Sequence, residues 1–396
     1  MTSNLPQKIL VADNDQGVLN SISNGLTAYK ITVITAKDWE SALYQFNTNK
    51  LDLCLVSLEM EGIPGTALIQ KWRQHESEGK RYVSCILSTA KQRVAGDGAL
   101  IKELGDVGVI LKPIQIPKLL SAMANALSMA HKRKAVIQVN EQIVSPLLKQ
   151  QKFDKALVAA ETKLEPIGEK GQFLSSQAHC EAKDYDRAQM LLKNLIQKDS
   201  NNMSYHNELA RIFLQTGKMA EAQKCYEKAD QAAPKNLDRI HEMAHMYLEL
   251  KLPEKSMEKF RDLIKLNPEK PDMKFDVYQT IADAGFLTHA QEICKQTSTP
   301  RELVRHFNNK GVLMSKQEKY VDAIDEYQKA VRLIPGHKEL HRILYNMALA
   351  HINLKSREHI VSAHDLLHQC LELQPGFDKA KEKLAITSKY VGKKNS

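Results

Sequence analysis

Pro234 and Pro268 stand 34 residues apart, and the residues before them repeat in kind. The stretch ending at Pro234 carries Leu209, Ala210, Phe213, Gly217, Ala222, Tyr226 and Ala229. The next carries Ala244, Tyr247, Ser256 and Phe260 at the same places, and a later one carries Gly311, Tyr320, Ala323, Tyr327 and Ala330 before Pro335. A period of this length constrains the fold more than any other feature of the chain. A unit so short cannot bury its apolar face alone, so successive units must stack into an array.

Weaker copies extend the array in both directions. Tyr185, Ala188 and Leu192 keep the 34-residue register, Phe153 and Ala156 mark an eroded first unit, and Gly285 and Ala290 belong to a short one ending at Pro300. A last unit, 342–375, carries an insertion near 356–360, and 377–390 reads as a capping helix. This pattern resembles the tetratricopeptide repeat, in which small residues sit where two antiparallel helices touch, aromatics fill between them and proline ends the second helix. The resemblance implies an all-α solenoid over 131–396 of about seven helix pairs. It also implies a concave wall lined by the first helix of each pair, with Asn207, Arg211, His241, His245, Arg305, Asn308, Arg342 and Tyr345 facing the groove. Polar and cationic side chains there suit a carboxylate or an acidic segment. His241 and His245 lack the glutamate of a metal-binding HExxH helix, so a solvated face is the expectation, and no metal site is assigned.

The first 130 residues follow a different rhythm. Strand-like runs at 8–11, 31–35, 51–56, 82–87 and 108–111 alternate with amphipathic segments at 16–29, 39–47, 66–74, 91–104 and 116–130. Such alternation predicts a parallel sheet covered by helices on both faces, because each parallel crossover needs a helix to return the chain. The segment HKRKAVIQVNEQIVSPLLKQ beyond it reads as almost unbroken helix, without a Gly/Ser linker.

Within this region, the stretch 51–65 resembles the third strand and following loop of a two-component receiver domain, with Asp52, Met60 and Gly65 at motif positions. The residue in the phospho-acceptor place is Ser57, which has no carboxylate to form an acyl phosphate. The resemblance covers the whole region and implies a (βα)5, flavodoxin-like fold. It places Asp13 and Asn14 where the family holds an acidic Mg2+-binding pair, Thr89 at its hydroxyl position, and Lys112 at its lysine before a proline that is usually cis. Val109 replaces the aromatic switch residue. Mg2+ favours oxygen ligands with formal charge, so losing two of three carboxylates argues against the site. Asp15 or Glu59 remain as substitute acids, and phosphate on Asp13 or Asp15 would need a rebuilt geometry. The expectation is a degenerate receiver that takes no cofactor and serves as a docking surface, the family's usual partner face falling on 91–104, 108–111 and 116–130.

Charge and motifs narrow the function. The net charge is +9, but Lys and Arg are scattered, clustering only at 131–134 and 393–394, so nucleic acid is not an expected partner. No run approaches ~18 apolar residues, and the first residues lead into a strand without a signal sequence. The six cysteines are widely spaced, as in packed thiols of a reducing cytoplasm. No nucleotide-binding, hydrolase or kinase motif appears. The expected function is therefore a non-catalytic adaptor in bacterial two-component signalling. It would dock on a histidine kinase or response regulator and modulate it, a cyclic-di-GMP phosphodiesterase among the targets considered. A peptide-binding scaffold capped by the receiver is the alternative, and a phosphatase of phosphorylated receivers the third.

Overall fold

A computed structural model of the chain describes residues 5–90 and 97–391, apart from the side chains of 78 and 131–135. The start of the expected helix at 91–104, the side chains of the basic cluster at 131–134 and the cluster at 393–394 therefore lie outside what is described.

The N-terminal region contains strands β1 (Lys8–Ala12), β2 (Thr32–Ala36), β3 (Leu53–Ser57), β4 (Ser84–Thr89) and β5 (Val107–Leu111). All neighbouring pairs are parallel, in the order β2-β1-β3-β4-β5. β3 and β4 are buried along their whole length, which is why they read as apolar runs rather than alternating ones. Between the strands run α1 (Gln16–Thr27), α2 (Trp39–Thr48), α3 (Gly65–Arg73), the short α4 (Glu78–Arg81) and α5 (Asp97–Glu103), and β5 is followed by α6 (Ile116–Val139). The reversal of strand order at β1 and β3 opens a crevice at their carboxyl ends, the place where such sheets carry their sites.

Helix α6 serves two cores. Leu119, Met123 and Ala126 pack with Ile9, Leu53 and Ile86 under the sheet. Further along, Val136 packs with Val144, Leu148 and Ala156. The helical reading of this linker holds through a π-helical turn at Asn140–Val144 and α7 (Ser145–Lys149). Then α8 (Phe153–Ala159) passes into a second π-helical turn, Ala160–Leu164.

The helices that follow are α9 (Glu169–Glu181), α10 (Tyr185–Lys198), α11 (Met203–Gln215), α12 (Met219–Ala232), α13 (Leu237–Glu249), α14 (Pro253–Leu266), α15 (Met273–Asp283), α16 (Leu287–Thr297), α17 (Pro300–Lys316), α18 (Tyr320–Leu333), α19 (His341–Asn353), α20 (Arg357–Leu373) and α21 (Asp378–Val391). The turn inside each successive pair contains one left-handed residue: Gln151, Lys183, Gly217, Lys251, Gly285, Glu318 and Lys355. The small residues mark close helix contacts: a Cβ on Gly311 of α17 would lie 2.3 Å from Cε1 of Tyr327 on α18.

The chain forms two compact units that do not divide where the receiver ends. The first runs to Met246 and includes Lys265–Glu269; the second holds Tyr247–Ile264 and the chain from Lys270 onward.

Candidate functional site

The acceptor crevice is assembled by strand ends. Asp13 follows β1, Ser57 ends β3, Thr89 ends β4 and Lys112 follows β5, so four distant residues converge there. Asp13, Ser57 and Thr89 are 3 %, 1 % and 0 % exposed. Nζ of Lys112 lies 2.6 Å from Asp13 Oδ2 and donates to Ser57 Oγ at 3.0 Å. The lysine thus bridges the two residues between which a metal and a phosphate would have to fit. The Lys112–Pro113 bond is cis.

The remaining polar groups are committed to other partners. Asn14 Nδ2 donates to the Lys37 carbonyl at 3.0 Å, and its Oδ1 accepts from the Glu61 amide at 2.9 Å. Asp15 caps α1, accepting from the amides of Gly17 at 2.7 Å and Val18 at 3.4 Å. Glu59 accepts from Thr89 Oγ1 at 2.5 Å. Asp15 is therefore spent as a cap rather than offered as a ligand, and the Glu59 carboxylate is engaged by Thr89. The family's Mg2+ does not fit this donor set: one carboxylate, already paired with an ammonium, cannot meet the ion's demand for charged oxygens. Val109, at the switch position, is 45 % exposed beside an equally exposed Leu111, on a shallow depression lined also by Pro113, Pro117, Lys118 and Ala122.

A second constellation sits between the receiver helices and the repeats of the first unit. Leu100 of α5 is fully buried against Met203, Ala229 and Ala233. One turn on, the Glu103 carboxylate receives Arg239 Nη1 at 2.7 Å, Asn207 Nδ2 at 2.8 Å and Asn236 Nδ2 at 3.1 Å. Burial raises the Glu103 carboxyl above the usual range, against the opposing pull of Arg239 and the two amides. At the edge, Lys102 pairs with Asp199 at 2.5 Å and Asp106 with Lys170 at 2.6 Å. Helix α3 makes a parallel attachment. Gln70 donates to the Lys235 carbonyl at 3.0 Å and accepts from the Leu237 amide at 2.7 Å, while Lys71 pairs with Glu269 at 2.6 Å.

This constellation changes the reading of the groove positions. The carboxylate that the cationic lining suits is, at Asn207, the chain's own Glu103. Arg211 is held by Glu208 at 2.8 Å and Glu242 at 2.7 Å. His241 and His245 lie ring to ring at 4.5 Å. In the second unit Arg305 and Arg342 are exposed, Asn308 accepts from Asn346 Nδ2 at 2.8 Å, and Tyr345 stands edge-on to Phe377 at 5.1 Å. The sequence reading missed Gln70, Glu103 and Arg239. A glutamate at the end of an amphipathic helix carries no local sign that another domain covers it.

A doubly wound parallel sheet with acid, hydroxyl and lysine at its strand ends, followed by paired helices, defines a signalling receiver module joined to helical repeats. Residues 9–124 match the response regulator receiver domain family and 180–244 a tetratricopeptide repeat family. The N-terminal domain is a receiver domain, and the helical region carries tetratricopeptide repeats. Among curated proteins, the chain is 26 % identical over 212 residues to the bovine BBSome complex member BBS4, covering 52 % of this chain and 38 % of that protein. It is also 26 % identical over 182 residues to the alkaline phosphatase synthesis transcriptional regulatory protein PhoP of Bacillus subtilis, covering 46 % and 69 %. A solved CheY-like receiver domain from Methanospirillum hungatei is similar over 32 % of this chain and 98 % of its own, at 21 % identity and a TM-score of 0.29. No helix among the described residues is long and apolar enough to cross a membrane.

Proposed function

We propose that this chain is a non-catalytic regulatory adaptor of two-component signalling, whose receiver does not accept phosphate. The observation that carries this reading is the Lys112 bridge between Asp13 and Ser57. It occupies the centre of the crevice with a cation, beside a hydroxyl that replaces the acceptor carboxylate. With Asn14 and Asp15 engaged in loop and cap hydrogen bonds and Glu59 held by Thr89, no uncommitted second acid among the described residues supports a metal.

Regulation then rests on binding. Helices α3 and α5 are attached to the repeats of the first unit, so a partner histidine kinase or response regulator would meet the β5–α6 side, where Val109 and Leu111 are exposed. The outcome is stoichiometric inhibition or modulation of that partner, a cyclic-di-GMP phosphodiesterase being one target class. A second reading, peptide capture by the repeats, is favoured by the exposed Arg305 and Arg342 of the second unit.

Treatment with acetyl phosphate and Mg2+, followed by intact mass measurement, tests the first claim: no added phosphate is expected, and an adduct would overturn it. Titration into a phosphorylated partner receiver tests the second. Protection or inhibition should saturate at equimolar chain, whereas turnover of receiver phosphate at substoichiometric amounts would assign a phosphatase instead. Binding that survives Val109→Glu but is lost in Arg305→Glu, Arg342→Glu would favour peptide capture.

A further inference from the structure

Far from the receiver pocket, Glu161, Glu165 and His179 each bring a donor atom to within 4.8 Å of one another. Among the described residues this is the one such group of three. The backbone builds it. The π-helical turn at Ala160–Leu164 widens the end of the helix begun by α8, and such insertions are frequent at functional sites. Glu161 and Glu165 project from this widened end toward α9. Helix α9 approaches it closely, since a Cβ on Gly171 would lie 1.8 Å from the Leu164 carbonyl oxygen. About two turns further along α9, His179 faces the two glutamates.

The imidazole is set up as a ligand. His179 is 1 % exposed, and its Nδ1 lies 2.8 Å from Asp184 Oδ2. An ionised Asp184 accepts only, so Nδ1 is the donor in this pair, and in the neutral ring that leaves the lone pair on Nε2. That Nε2 is buried without a hydrogen-bond partner, 3.7 Å from Glu161 Oε1. A carboxylate fixing the far nitrogen of a histidine whose near nitrogen points at other acids is the usual outer support of a metal ligand. The glutamates have other contacts: Ser175 Oγ donates to Glu165 at 2.9 Å, and Arg187 Nη2 lies 3.0 Å from Glu165 Oε2 and 3.2 Å from Oε1. Arg187 Nε is 3.8 Å from Glu161 Oε1. The Arg187 and Glu161 side chains are 34 % and 46 % exposed, so the guanidinium has water to withdraw into and the carboxylate room to turn inward.

We propose that Glu161, Glu165 and His179 bind one divalent transition-metal ion, with Asp184 orienting the imidazole. Mixed imidazole and carboxylate donors suit Zn2+ better than Mg2+ or Ca2+, and three protein ligands leave a position for water. Ligand bonds of about 2.0–2.2 Å require the glutamates to draw in around Nε2. The ion would tie the π-helical turn after α8 to α9, making the start of the repeat array metal-dependent.

The test compares untagged full-length wild type with Glu161→Gln, Glu165→Gln after chelator treatment and dialysis against Zn2+, reading bound metal and Tm. Wild type should retain one more equivalent of Zn2+ than the double variant, and Zn2+ should raise the Tm of wild type alone. Binding by the remaining histidines and cysteines is common to both proteins and cancels. Asp184→Asn should weaken the affinity by about 10–100-fold. Arg187→Gln, which keeps every ligand, should retain the equivalent. Equal metal content and equal Zn2+ shifts in wild type and the double variant, or loss of the equivalent in Arg187→Gln, would overturn the proposal and leave an ion-pair network centred on Arg187.

Discussion

Arg239 of α13 and Glu103 of α5 meet at 2.7 Å with side chains 0 % and 2 % exposed. A charge pair so far from water is held in the chain by its surroundings. Asn207 and Asn236 complete the carboxylate, and Arg239 also donates to Asn207 Oδ1 at 2.9 Å and to the Ala233 carbonyl. Breaking such a pair leaves an uncompensated buried charge, so Arg239→Ala or Glu103→Ala should each cost about 3–5 kcal/mol. The double replacement Glu103→Met, Arg239→Met should cost clearly less than either single change. Urea unfolding with a double-mutant cycle measures all three.

Gln70 uses both ends of its amide on the segment between α12 and α13. Gln70→Ala leaves the Leu237 amide and the Lys235 carbonyl without their side-chain partner, at about 1–3 kcal/mol. Faster hydrogen exchange at Leu237, together with faster exchange across α3, is the expected signature. Unchanged exchange at both would show that this attachment is not what holds them.

His351 and His359 face each other through their Nδ1 atoms at 3.0 Å, which requires one to donate and the other to accept. Burial, then the His359 charge, holds His351 below the usual histidine range. The unfolded chain therefore takes up the proton first. Stability from this group is intact above the ordinary value near 6.5 and falls as pH drops through it. Burial also lowers His206 and His306, so His351→Gln should reduce, without abolishing, the loss of Tm between about pH 7 and pH 5.

Gly311→Ala drives a methyl group into the Tyr327 ring, at 2.3 Å from Cε1. Tyr327 is 1 % exposed and has little room to retreat. Overpacking of this kind costs about 1–3 kcal/mol, measurable as a lowered urea midpoint.

Ser57→Asp restores the acceptor atom but leaves Asn14 turned to Lys37 and Glu61. Intact mass after acetyl phosphate and Mg2+ should show little adduct for this variant, and more when Asn14→Asp is added. An efficient adduct with Ser57→Asp alone would mean that Asp13 and one new carboxylate suffice to hold the metal.

Local chemistry determined a large part of this protein. The 34-residue spacing of Pro234 and Pro268 could only describe a stacked array, because each unit needs its neighbours to cover its apolar face. The buried run ending at Ser57 could only be an interior strand, and the hydroxyl there is legible as a missing carboxylate. The turns inside the pairs were less legible. Only Gly217 and Gly285 advertise the left-handed residue that Gln151, Lys183, Lys251, Glu318 and Lys355 supply elsewhere.

Tertiary structure decided where the polar groups go. Asp15 reads as a spare metal ligand until α1 claims it as a cap, and Asn207 reads as an open groove position until Glu103 reaches it from a residue 104 places earlier. Periodicity is a property of neighbours along the chain, so it survives in the sequence. The partner of a buried carboxylate is set by which domain faces lie against each other, and no spacing within either domain records that.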